Sequence, residues 1–85
     1  MSKLPNADDF RSQIEKIKVD KKSEGAEFVD IVSGELHKML GGYPSNNHRM
    51  ATCCEVMYSM KKPSDEVLYA PPKGKGATLK IRYYL

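Results

Sequence analysis

Four side chains of the kinds that bind zinc or attack an electrophile lie near the middle of the chain: His37, His48, Cys53 and Cys54. Zinc takes four such ligands, and a thiolate beside an imidazole is a nucleophile with its base. The spacing serves neither chemistry. There is no Cys-x-x-Cys and no His-x-x-x-His, the arrangements that mark metal sites. Adjacent cysteines on a helix point about 100° apart, so they are poorly placed to bond each other. Both fall on the apolar face of a helix pattern, where free cysteine behaves as a small hydrophobe. The reading is two inert thiols, no metal, no cofactor and no enzyme.

A second group suggests phosphate. Lys73 and Lys75 sit in Pro71-Pro72-Lys73-Gly74-Lys75-Gly76, where glycine lets a backbone come close to an anion. A nucleotide-binding loop would need Gly-x-x-x-x-Gly-Lys-Ser/Thr with a helix after it. That pattern is absent, and a strand pattern follows. Asn46, Asn47, His48, Arg49 and Thr52 lie at the start of a helix pattern, whose exposed N–H groups and dipole favour negative charge. These seven residues are the candidate nucleic-acid contacts. Contacts to phosphate position a protein on DNA without reading its sequence.

The elements that must carry these groups follow from periodicity. Phe10, Ile14 and Ile17 form one stripe of a helix over 7–19, with Asn6 as its cap and Asp8 and Asp9 in the first turn. Residues 20–26 are polar and without period, and with 1–6 they read as solvated, mobile segments. A β-branched run over 27–32 predicts a strand. Ser33 is placed to cap a short helix with Leu36, Met39 and Leu40 toward the core, and Gly41 ends it. After the turn-forming spacer around Pro44, a helix over 48–60 gathers Met50, Cys53, Cys54, Met57 and Met60 on one face, with Asn46 or Asn47 as cap. Strand patterns follow at 66–70 and at 78–85, where Leu79, Ile81, Tyr83 and Leu85 alternate with polar neighbours. The basic loop 71–77 joins them.

Composition sets the remaining bounds. Eighty-five residues make one domain with one small core. No apolar run approaches the roughly 20 residues needed to span a bilayer, and the N-terminus has no signal-peptide core. With two adjacent cysteines and no disulfide framework, a cytoplasmic location is expected. Charge is uneven: residues 1–35 hold six Lys/Arg against eight Asp/Glu, a balance of −2, and residues 36–85 hold eight against three, a balance of +5. The basic excess lies on the half with the candidate contacts, which favours a polyanionic partner.

In element order, helix-strand-helix-helix-strand-loop-strand, the chain resembles a winged helix-turn-helix domain, an α+β fold. It is also similar to small uncharacterised bacterial proteins with Gly-Glu-Leu-His, Gly-Gly-Tyr-Pro, Asn-His-Arg-Met and Cys-Cys in this order. The resemblance implies DNA binding by the helix at 48–60 and by the wing at 71–77. The same fold could instead serve as a protein-interaction or dimerisation module, for a second copy or a larger effector protein. Tyr58 and Tyr84 are its candidate residues, since tyrosine joins an apolar body to a polar tip. The last strand ends the sequence, so it is expected to leave an open sheet edge.

Overall fold

A computed structural model describes residues 5–41 and 49–85 of the chain. Residues 1–4 and the candidates Asn46, Asn47 and His48 lie outside the described residues. The described residues form an α+β domain of three helices and one three-stranded antiparallel sheet. The elements are α1 (Ala7–Ser23), β1 (Phe28–Val32), α2 (Ser33–Leu40), α3 (Met50–Ser59), β2 (Glu66–Tyr69) and β3 (Lys80–Tyr84).

Asn6 starts α1 with a capping box. Its side chain accepts from the Asp9 N–H at 2.9 Å, and the Asp9 carboxylate accepts from the Asn6 N–H at 2.8 Å. Phe10 and Ile14 are fully buried. The helix then runs four residues beyond its expected end at 19, through Asp20 to Ser23, a stretch expected to be loop. Those residues are exposed and need no apolar period. Lys21 and Lys22 are good helix formers and meet the negative end of the helix dipole. Gly25, at φ +89°, then turns the chain.

The sheet order is β1-β3-β2. The last strand is therefore the centre of the sheet, and the open edge expected along it is absent. Val29, Ile31, Ile81 and Tyr83 point inward beneath the helices. Phe28, Asp30, Arg82 and Tyr84 face outward. There Asp30 stands opposite Arg82 and binds its guanidinium at 2.8 and 3.1 Å. That bond, against the opposing effect of burial, holds the Asp30 carboxyl below its usual range. Arg82 also stacks over Phe28, 4.0 Å from the ring centre.

The start of α2 departs from expectation. Ser33 is its first helical residue and makes no cap for it. Its hydroxyl donates to the Gly76 carbonyl, and its N–H donates to the Leu79 carbonyl at 2.9 Å. The Gly34 N–H donates to the Ala77 carbonyl at 3.0 Å. The helix-end donors are thus satisfied by the approach to β3, which buries Ser33 and makes a local side-chain cap unnecessary. This rotates α2 so that Ser33, Gly34, Leu36 and His37 are buried and Met39, expected in the core, is 60 % exposed.

Gly34 carries a test. Alanine normally favours a helix over glycine by about 1 kcal/mol. Here an added Cβ would lie 2.9 Å from the Ala77 carbonyl oxygen and 3.1 Å from its Cβ. Gly34→Ala is expected to destabilise the fold by about 1–3 kcal/mol, read as a lower urea midpoint at unchanged slope. A higher midpoint would show that the segment at Ala77 yields without cost.

Candidate nucleic-acid interface

The buried face of α3 is Met50, Cys53, Cys54, Val56 and Met57, as the apolar period requires. The helix begins at Met50, not at 48, with Arg49 in the N-cap position and no side-chain cap hydrogen bond; Asn46 and Asn47, expected as its cap, lie outside the described residues. Arg49 is exposed, Thr52 is half-buried, and Ala51, Glu55 and Ser59 are exposed.

His37 fixes where α3 starts. Its ring is buried edge-on against Phe10, with centroids 5.2 Å apart. Nε2 accepts the Arg49 N–H at 2.8 Å, which leaves the proton on Nδ1 to donate to the Gly41 carbonyl at 3.1 Å. One side chain thus joins the end of α2 to the start of α3. His37, one of the four soft-ligand side chains, serves structure.

The β2–β3 loop is bound to α3 at Gly74, Lys75 and Gly76. The Tyr58 hydroxyl donates to the Gly74 carbonyl at 2.6 Å. The Cys54 thiol meets both the N–H and the carbonyl of Gly76 at 3.3 Å. Gly74 takes φ +78°, and its N–H donates to the Pro71 carbonyl at 2.7 Å, closing a tight turn. Pro71 packs so near Gly76 that a Cβ there would lie 3.2 Å from its ring.

These contacts place Lys75 beside the exposed side of α3, where it meets Glu55. Lys73 is exposed. Lys75 pairs with Glu55 at 2.7 Å, and this bond raises the Lys75 pKa. Both partners are well exposed, so the pair adds little to stability. Its consequence is electrostatic: Glu55 offsets one of the two loop lysines. Arg49 and Lys73 enter no ion pair among the described residues.

The tyrosines divide. The Tyr58 hydroxyl is taken by the loop. Tyr84 lies on the outer face of the sheet, edge-on to Phe28 at 6.1 Å and bonded to Glu66 at 3.1 Å. Tyr83, another aromatic near the end of the chain, is fully buried.

Cys53 is poorly suited to act as a nucleophile. Cys53 is fully buried and its thiol donates to the Ser33 carbonyl at 3.5 Å. Burial, and then the neighbouring Cys54, push the Cys53 thiol up to about 12, so it stays protonated at neutral pH. Among the described residues, no three His, Cys, Asp or Glu side chains group to hold a metal ion.

Sequence reasoning proposed Lys73, Lys75 and the start of the helix at 48–60 as contacts but missed the bonds that tie the loop to α3. Ser33 reaches Gly76 across 43 residues, Cys54 across 22 and Tyr58 reaches Gly74 across 16. No local pattern records such contacts. Comparison of the chain with protein-family models, curated proteins and solved structures returns no match. Among the described residues, no helix is long and apolar enough to cross a membrane.

Proposed function

We propose that this chain is a winged helix-turn-helix domain that binds nucleic acid, DNA in the first instance. The exposed side of α3 and the β2–β3 loop, acting as the wing, form the contact surface. The observation that carries this reading is the bonding of that loop to α3 by Tyr58, Cys54 and Lys75, which makes one surface of the two elements. The order α1-β1-α2-α3-β2-β3 with sheet order β1-β3-β2 supports the same reading.

In this arrangement Arg49 and Lys73 neutralise phosphates, and Thr52 lies close to the backbone or a base edge. Glu55, on the same side of the helix, repels phosphate and spends Lys75. The binding is therefore dominated by the backbone, with little sequence readout.

The test is fluorescence anisotropy with a random-sequence duplex over a range of salt. Replacing Arg49 and Lys73 together with alanine is expected to weaken binding on every sequence. It should also reduce the slope of log K against log salt by about 2, roughly one per lost phosphate contact. Glu55→Gln should act in the opposite sense, by freeing Lys75. Unchanged affinity and slope in both variants would remove this surface from DNA binding.

A further inference from the structure

The other half of the molecule carries a groove that nucleic acid would not enter. It has a volume of about 300 Å³ and lies between the second half of α1, β1 and α2. No residue of α3 or of the β2–β3 loop lines it. Its floor is apolar, from Ile17, Val29, Ile31 and Leu36, and the exposed Met39 forms one side. Its rim bears Asp20, Glu24, Asp30 and Glu35 against the single cation Lys21. Asp30 is paired with Arg82, but Asp20, Glu24 and Glu35 enter no ion pair among the described residues.

β1 is an edge strand, and four of its five residues line the groove. The ladder shows which of its backbone groups are turned there. The Ser33 N–H donates to Leu79, and the Leu85 N–H donates to Glu27. With the register Val29↔Tyr83 and Ile31↔Ile81, the hydrogen-bonded pairs of this antiparallel ladder fall at the odd positions of β1. The N–H and C=O of Phe28 and Asp30, and the N–H of Val32, therefore point away from β3 along the open edge. Glu24 stands four residues before β1 and Glu35 three residues after Val32. The unpaired carboxylates thus mark the two ends of that edge.

We propose that this groove docks a short extended segment of a partner protein, added as a fourth strand on β1. The segment has apolar residues at its centre and Lys or Arg on both sides. Backbone bonds to Phe28, Asp30 and Val32 give the docking its direction. The apolar centre covers Ile17 and Met39, and the flanking cations meet Asp20 and Glu24 at one end and Glu35 at the other. Charge selects this occupant over a second copy of the chain. Two β1 edges paired antiparallel about Asp30 would bring the Asp20 and Glu24 end of one copy toward the Glu35 end of the other, acid against acid, which is unfavourable.

The probe is a blocked peptide, Arg-Arg-Val-Ile-Val-Arg-Arg, titrated into the ¹⁵N-labelled full chain. The amides of Phe28, Asp30 and Val32 should shift and become protected from exchange, while those of Lys73 to Gly76 stay in place. The same peptide N-methylated throughout can donate no backbone bond and should not bind. A peptide with glutamate in place of arginine should not bind either. Combining Glu24→Gln with Glu35→Gln should weaken the arginine peptide about fivefold, the effect of two exposed ion pairs. Both positions are exposed, so the fold should survive. The proposal fails if the arginine peptide leaves the β1 amides unmoved, or if the N-methylated peptide binds as well. It also fails if the chain self-associates with those amides already protected.

Discussion

Tyr83→Ala is expected to remove about 3–5 kcal/mol of stability, the usual loss when a buried aromatic is truncated in a core. Against the roughly 5–15 kcal/mol that holds a typical domain together, this is a large fraction, so the variant should unfold at a much lower urea concentration. Among the described residues Tyr83 is the largest fully buried side chain, and it sits on the central strand, where it packs beneath α3. Its hydroxyl donates to the Met57 carbonyl at 2.7 Å. That carbonyl lies in the last turn of α3, where backbone acceptors lack helical partners. Tyr83→Phe isolates this bond and should cost about 1–3 kcal/mol, because the carbonyl is left buried and unpaired. Urea unfolding of both variants checks the pair. A loss below about 1 kcal/mol for Tyr83→Ala would mean that the ring is not the keystone between sheet and helix.

The second large effect is at Asp65. Its side chain is buried, and one oxygen accepts the Lys62 N–H at 2.8 Å while the other accepts the Tyr84 N–H at 2.9 Å. Even positions of β3 turn their backbone groups toward β2, but β2 begins at Glu66 opposite Arg82. The Tyr84 N–H lies beyond the end of that pairing, and the carboxylate stands in for the missing strand. Asp65→Ala leaves two donors without a charged acceptor. Such bonds contribute about 1.5–3 kcal/mol each, so a loss of about 3 kcal/mol is expected.

Burial pushes the Asp65 carboxyl up, but the Lys62 and Tyr84 N–H bonds and the charges of Lys62 and Lys18 outweigh it and hold the group below its ordinary value. A carboxyl depressed in the folded state contributes stability that is complete above the unfolded pKa, near 4, and is lost as pH falls through the folded value. Asp30 acts in the same direction. The wild-type chain should lose stability below about pH 4, and Asp65→Ala should flatten that dependence. An equally steep acid limb in the variant would assign it to other carboxylates.

Much of this was legible from local pattern. The alternation around Leu79, Ile81 and Tyr83 identifies both the last strand and its buried face. Met50, Cys53, Cys54 and Met57 do the same for α3, because spacing of three and four residues leaves one face to bury. Where burial depends on distant partners, pattern misleads. Met39 reads as core and Ser33 as a cap, yet bonds from Ser33 and Gly34 to Gly76, Ala77 and Leu79 rotate α2 the other way. The tail of α1 has no apolar stripe, so only helix propensity could have extended it to Ser23. β3 looks like an edge because it ends the sequence, but β1, about fifty residues earlier, pairs with its free side. At the candidate interface the exposed cations were visible and the Lys75–Glu55 pair was not, since nothing local links residues 20 apart.

The most direct measurement is a ¹⁵N amide titration of the chain with a random-sequence DNA duplex at low and at moderate salt. Nucleic-acid binding by α3 and the wing predicts shifts confined to residues 49–52 and 72–77, which fade as salt rises. No shifts at low salt, or shifts scattered without a common surface, would contradict it.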